Sequence, residues 1–309
     1  MSFWKSVAVA TVPLLLAVTA CTASPTPAAP GTLSVTATFY PFQFIAERVG
    51  GDKVTVTNLT PPGTEPHDLE LSPKQVAGLG EADLVIYQAG FQPAVDAGIV
   101  TVAPKRSVNT ASFLTLRPVG SDDGHDHGDE HDEADKALDP HTWLDPANMV
   151  AITEHVRDAL AAADPSGAEA FTTNANALIV ELTTLDTDLA KGLGGCERDA
   201  FITSHAAFGY LAHRYHLEQI GIRGVDPDTE PSAARIAQVQ TIAKEHQVTT
   251  IFFETLVSPD VANSIAGDLG LVTDVLDPLE GLTEQSRGAD YLAVMRANLT
   301  ALQKANGCR

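Results

Sequence analysis

Along this chain the spacing of apolar positions changes period repeatedly, and each change marks a new element. Leu33-Ser-Val-Thr-Ala-Thr38 alternates and is rich in β-branched residues, the pattern of a strand. Helical spacing follows over Pro41–Val49, then a second strand over Lys53–Asn58. Ser72 followed by Pro73 offers an N-cap with proline at the first helical position, which predicts a helix running to Gly80. Asp83–Tyr87 reads as a short buried strand, and Pro146–Ala162 as a helix. From Pro165 to Leu193 the apolar residues Phe171, Leu178, Leu182, Leu185 and Leu189 keep mostly helical spacing, so a single long helix is predicted in mid-chain. The second half repeats the rhythm. Strands are predicted at Ala200–Thr203, Thr249–Phe253 and Val272–Leu276, and helices at Phe208–Tyr215, Ser232–His246, Pro259–Leu269 and Ala289–Ala305. Strands alternating with helices predict an α/β fold: two lobes, each a mainly parallel sheet flanked by helices, joined by one long rigid helix. The lobes are expected over residues 33–164 and 194–309, with the connector at 165–193.

The N-terminus departs from this pattern. Lys5 precedes an apolar run from Val7 to Val18, the length of a signal segment and too short to span a bilayer. The run ends in Val18-Thr-Ala-Cys21, which resembles the bacterial lipobox. Residues 1–20 are therefore expected to be a signal peptide and Cys21 the lipidated residue. Residues 21–32 are then a flexible tether rich in Pro, Ala, Ser and Thr. Export implies an oxidising compartment, where the remaining pair, Cys196 and Cys308, is expected to form one disulfide. Neither cysteine has a CxxC neighbour.

Composition narrows the function. A formal net charge of −21 over 309 residues argues against nucleic acid, since a phosphate backbone requires a basic face. With 44% hydrophobic residues the chain is long enough for two packed cores. One segment, 121–136, breaks the α/β rhythm with Asp, Glu, His and Gly. It is expected to be a mobile loop whose His125, His127 and His131 serve as accessory metal contacts.

Three other histidines fall where strands or loops end. His67 lies in Pro62-Gly-Thr-Glu-Pro-His-Asp68 after the second strand. His141 lies in Asp139-Pro-His-Thr-Trp-Leu-Asp-Pro146, and His205 follows the strand Phe201-Ile-Thr203. In open α/β sheets ligands bind at the carboxyl ends of strands, so these three are expected to line a metal site in the cleft between the lobes. A closed tetrahedral zinc site needs a fourth donor. Asp277 is taken as that donor. Glu254 is expected behind a ligand histidine, or as the alternative ligand. Nitrogen-rich ligation suits Zn2+ better than manganese. His155, His213, His216 and His246 are given no role.

These residues together resemble a known family: the zinc and manganese ABC-transporter solute-binding proteins of cluster A-I, and within it the zinc-uptake branch. The resemblance runs from Val35 to the C-terminus. It is carried by Thr38-Phe-Tyr-Pro-Phe42, Pro66-His-Asp68, the acidic His-rich loop, Asp139-Pro-His-Thr-Trp-Leu-Asp-Pro146, Thr203-Ser-His-Ala-Ala-Phe-Gly-Tyr210, Phe253-Glu254 and Leu276-Asp-Pro278. It implies two α/β lobes on a long helix, metal between them, and His67, His141, His205 and Asp277 as ligands. In manganese members the position matching His205 is usually a carboxylate, so histidine here favours zinc. The expected function is capture of extracytoplasmic Zn2+ by a monomeric lipoprotein on the outer face of the cell membrane, and delivery to the permease of an ABC importer. Manganese binding by the same site is the nearest alternative. Two other classes are a zinc-dependent hydrolase with Glu254 as general base, which lacks a His-Glu-x-x-His helix, and a storage or adhesion lipoprotein stapled by zinc.

Overall fold

A computed structural model describes residues 31–120 and 137–309. The signal segment, Cys21, the tether and the loop histidines His125, His127 and His131 lie outside the described residues.

Two four-stranded parallel sheets form the frame. The first is built from β1 (Leu33–Ala37), β2 (Val54–Asn58), β3 (Leu84–Tyr87) and β4 (Ser107–Asn109), in the order β2-β1-β3-β4. The second is built from β5 (Ala200–Thr203), β6 (Glu218–Gly221), β7 (Thr250–Phe253) and β8 (Val272–Val275), in the order β6-β5-β7-β8. Both orders reverse direction beside their first strand, and such a switch point opens a crevice at the strands' carboxyl ends. Register begins at Leu33↔Val54 and Val35↔Leu84 in one sheet, and at Ala200↔Glu218 and Ile202↔Ile251 in the other.

Helices α1 (Tyr40–Gly50), α2 (Pro73–Glu81), α3 (Pro93–Val102) and α4 (Pro146–Ala163) accompany the first sheet. Helices α6 (Gly209–Arg214), α7 (Ala233–Glu245), α8 (Asp260–Leu269) and α9 (Tyr291–Asn306) accompany the second. The starts follow local chemistry. Ser72 and Gln75 form a reciprocal capping box with Pro73 at the first position, and Asp145, Ser232 and Asp290 each accept a first-turn backbone N–H. The expected long helix is present as α5 (Ala168–Leu193), 26 residues and thus about 39 Å long. Its buried stripe, Phe171, Ala175, Leu178, Leu182, Leu185, Leu189 and Leu193, repeats every three or four residues. It packs on α1 and α4 at one side and α9 at the other. One apolar cluster therefore runs from Val35 through α5 to Ala305, with Trp143 and Tyr291 inside it.

Polar contacts also tie the halves together. Trp143 Nε1 donates to the Pro278 carbonyl at 2.7 Å, and the Tyr291 hydroxyl donates to the Trp143 carbonyl at 2.7 Å. Arg214 forks onto Asp186 of α5 at 2.6 and 2.7 Å and reaches Asp145, the cap of α4, at 3.2 Å. Cys196 and Cys308 form the expected disulfide, joining the end of α5 to the end of α9 across 112 residues of chain.

Candidate metal centre

Each candidate ligand sits just beyond a strand's carboxyl end or on a loop facing it. His67 follows β2, His205 follows β5, and His141 opens a short 3-10 turn ahead of α4. The three rings converge on one atom, Oε1 of Glu280, which lies beyond β8. His141 Nε2 is 3.1 Å from it, His67 Nε2 3.3 Å and His205 Nε2 3.4 Å, while His141 and His205 Nε2 are 3.4 Å apart. All four donor atoms lie within 4.8 Å of one another. A tetrahedron with zinc–nitrogen bonds of about 2.0–2.1 Å has edges of about 3.3–3.4 Å, close to the separations of 3.1–3.4 Å among Glu280 Oε1 and the histidine nitrogens given above. The group is enclosed: His141 and Glu280 are buried completely.

The structure thus brings His67, His141 and His205 together, but with Glu280 in the place expected for Asp277. Asp277 is buried three residues earlier, and its oxygens are spent on the turn. Oδ1 accepts from the Leu279 N–H at 2.8 Å and Oδ2 from the Ser286 hydroxyl at 2.7 Å. Asn298 brackets the same residue, accepting from its N–H at 3.0 Å and donating to its carbonyl at 2.7 Å. The turn holds Leu279 at φ 60°, a left-handed conformation that costs a side-chain-bearing residue about 1–2 kcal/mol. That bend directs Glu280 into the cleft. Spacing alone favoured the acid nearest the strand end.

Further side chains orient the rings. His141 Nδ1 meets Asp139 Oδ1 at 2.8 Å, and His205 Nδ1 meets Glu254 Oε1 at 2.8 Å. The same Glu254 oxygen accepts from the Ser204 hydroxyl at 2.6 Å, so Glu254 stands behind His205 rather than among the four converging atoms. The edge of His67 packs on Phe91, with ring centres 4.8 Å apart.

Electrostatics follow from this crowding. Burial works against charge on His141, but its hydrogen bonds to Asp139 and Glu280 outweigh that and raise its pKa. Burial likewise opposes charge on His205, and the Glu254 and Glu280 carboxylates overcome it, lifting the pKa well above the ordinary imidazole value. For Glu280, burial is opposed by the three histidines, which hold the carboxyl well below its usual range. Glu65, beside His67, is pushed up to about 9 by burial and by the charge of Glu280. A divalent cation entering here meets a carboxylate and two imidazoles whose protons it must displace.

Residues 35–305, nearly the whole described chain, match the family described as ZnuA, zinc-uptake complex component A, periplasmic. The chain belongs to that family. The membership meets the expectation drawn from the motifs. Among ZnuA-family relatives, the zinc-binding lipoprotein AdcA of Streptococcus pneumoniae strain R6 is 39% identical over 285 residues, covering 89% of this chain and 56% of AdcA. This chain therefore spans little more than half the length of that relative. The high-affinity zinc uptake system protein ZnuA of Bacillus subtilis strain 168 is 36% identical over 277 residues, 88% of this chain and 86% of that protein. The crystal structure of the Zn(II)-bound ZnuA-like domain of S. pneumoniae AdcA aligns with a TM-score of 0.74 at 36% identity, covering 89% of this chain and 99% of that domain. The two parallel-sheet lobes and the long helix are thus a ZnuA-like fold.

Proposed function

We propose that this protein captures Zn2+ outside the cytoplasm and delivers it to the membrane permease of an ABC importer, with His67, His141, His205 and Glu280 as the zinc ligands. The observation that carries this reading is the convergence of three imidazole Nε2 atoms on Glu280 Oε1 at 3.1–3.4 Å, with all four donor atoms within 4.8 Å of one another. Three neutral nitrogens and one carboxylate suit Zn2+ better than Mn2+, which takes more oxygens. The zinc-binding lipoprotein AdcA and the zinc uptake protein ZnuA, both relatives of this chain, support the same cargo. Zinc is held here as cargo, and Glu254, the candidate general base of a hydrolase, is engaged with His205 and Ser204. Anchorage through a lipid on Cys21, a monomeric state and a place on the outer face of the membrane belong to the same proposal. No helix among the described residues is long and apolar enough to cross a membrane.

The test is isothermal titration of the metal-stripped protein with Zn2+ and then Mn2+, beside a variant lacking residues 121–136. One tight zinc site that survives the deletion, with much weaker manganese binding, is expected. Loss of tight binding with the loop places the primary site elsewhere.

A further inference from the structure

The two ligand histidines of the first lobe share a local sequence that His205 of the second lobe lacks. Glu65-Pro66-His67 and Asp139-Pro140-His141 are both acid–proline–histidine tripeptides. In each, the acid's carboxyl oxygen accepts the histidine's backbone N–H, at 3.1 Å from Glu65 Oε1 and 2.9 Å from Asp139 Oδ1. That N–H is one end of the Pro–His peptide plane, and the other end is the proline carbonyl. Both carbonyls are gripped by buried glutamines from one loop, between β3 and α3. Gln88 Nε2 donates to the Pro140 carbonyl, and Gln92 Nε2 donates to the Pro66 carbonyl at 3.2 Å.

The orientation of each amide is dictated by chemistry. A proline carbonyl only accepts, so the NH2 face must meet it. Gln88 Oε1 then faces the hydroxyls of Thr110 and Thr142, and Gln92 Nε2 also reaches the Thr60 hydroxyl at 3.2 Å. The Thr60 hydroxyl in turn donates to the Thr38 carbonyl at 2.8 Å, which ties the clamp to the end of β1. All of these polar side chains are buried, where an unpaired donor or acceptor is expensive, so the arrangement holds one geometry. Between the two glutamines, Phe91 packs against His67 and Trp143 with ring centres at 4.8 and 5.1 Å. One five-residue stretch therefore touches both ligand loops of this lobe.

We propose that Gln88 and Gln92 are paired positioning residues: by fixing the peptide planes that lead into His141 and His67, they set the separation of two ligand nitrogens and thereby the preference for a tetrahedral cation. The proposal rests on the reading of His67 and His141 as ligands. A histidine side chain leaves its backbone at Cα, so rotating the preceding peptide plane swings the ring and displaces Nε2. Proline fixes its own φ, the acid holds the N–H end of the plane, and the glutamine joins a backbone N–H, from Thr142 at Pro140 and Leu69 at Pro66, in holding the carbonyl end.

The test compares Gln88→Met and Gln92→Met, near-isosteric and without a donor, with the unaltered protein, His67→Ala and His141→Ala. Thr153→Val serves as the stability control, since Thr153 is buried in α4 and donates to the Met149 carbonyl away from the site. Three quantities are read on full-length metal-stripped protein: Zn2+ affinity by chelator competition, the Zn2+ to Mn2+ affinity ratio, and the visible absorption of the Co2+ complex, whose intensity reports tetrahedral geometry. Each glutamine variant is expected to weaken zinc roughly ten- to a hundredfold, the scale for residues that orient ligands. The zinc to manganese ratio should fall and the cobalt bands should weaken, while Thr153→Val lowers the melting temperature without moving either. Folded glutamine variants with unchanged ratio and cobalt spectrum overturn the proposal. Unchanged zinc affinity in both histidine variants overturns the ligand reading beneath it instead. If a methionine variant does not fold, Gln→Asn at that position, which leaves the donor one methylene short, carries the same expectation.

Discussion

His67 and His141 reach the site from the first lobe on backbone that proline, an acid and a glutamine hold at several points. His205 and Glu280 arrive from the second lobe by other means. The ring of His205 leans on the Glu254 carboxylate, and its carbonyl accepts from Thr203 Oγ1 at 2.6 Å and Gln219 Nε2 at 3.1 Å. Glu280 depends on the Asp277 turn and a left-handed leucine. Two sheets of the same strand order therefore deliver their candidate ligands differently: in the first lobe an acid, a proline and a glutamine meet on the peptide plane before each histidine, while in the second Glu254 braces the His205 ring and the Asp277 turn aims Glu280. The difference teaches that equal topology fixes where a ligand emerges but not how firmly it is held.

The largest expected effect tests whether the second lobe needs its covalent staple for stability or for binding. Reducing Cys196–Cys308 opens a loop of 112 residues. The chain-entropy relation puts the loss of stability at up to about 5 kcal/mol. Urea unfolding with and without reductant measures it, and zinc affinity of the reduced, folded protein should stay unchanged. A parallel loss of affinity would show that the staple shapes the site.

Next in size is the contrast of Glu280 with Asp277. Removing one donor from a four-donor site worth about 10–16 kcal/mol should cost about a quarter of it, roughly 10²- to 10³-fold in affinity. Glu280→Ala should show that loss by titration calorimetry. Asp277→Asn should lower the melting temperature while changing zinc affinity far less. Equal losses would return Asp277 to the ligand set.

A smaller effect separates the orienting acids. Glu254→Gln and Asp139→Asn should each weaken zinc roughly ten- to a hundredfold in competition assays. The loss should be greater for Glu254→Gln, because Pro140 and Gln88 still hold the backbone under His141. The reverse order would mean that the first lobe is not the more firmly set half.

The smallest effect lies in the metal-stripped protein. His141 and His205 have raised pKa values, so their stabilisation is complete below their ordinary value of 6.5 and is lost as pH rises through the raised values. The carboxyl of Glu280 is lowered, so its contribution is present above 4.5 and is lost as pH falls through the lowered value. Melting temperature without metal should therefore decline as pH rises above the ordinary imidazole value of 6.5. With saturating zinc the slope should reverse, since deprotonated imidazoles bind it. Parallel slopes with and without metal would show that these histidines do not exchange protons for zinc.

Much of this architecture was legible in the residue pattern because the informative segments are long or chemically marked. The buried stripe of α5, the Ser72-Pro73 start and the alternating β1 each announce themselves locally. Helix α3 does not. Pro93-Ala-Val-Asp-Ala-Gly-Ile-Val-Thr-Val102 is rich in β-branched residues yet helical, and Gly98 lets the helix lie close against Leu79, 2.9 Å from where a Cβ would stand. Strand β4 has only three residues, and β6, Glu218-Gln-Ile-Gly221, has a single apolar side chain; both exist through pairing with β3 and β5. At the site the histidines were readable because each lies in a loop or strand end, His67 and His141 directly after a proline and His205 two residues past β5. Glu280 was not, because choosing it over Asp277 depends on which acid the turn consumes.

The apolar cluster that threads α5 and includes both lobes also sets the order in which the chain can finish folding. A ribosome delivers α1, α4 and α5 long before α9. Yet Gly192 at the end of α5 packs against Leu299, and its carbonyl accepts from Gln303. These contacts join segments more than a hundred residues apart, so the entropy of closing the chain is spent before the burial that rewards it. Until Tyr291–Asn306 has been synthesised, part of the connector's apolar face has no cover, and a nascent chain halted there would be a client for chaperones.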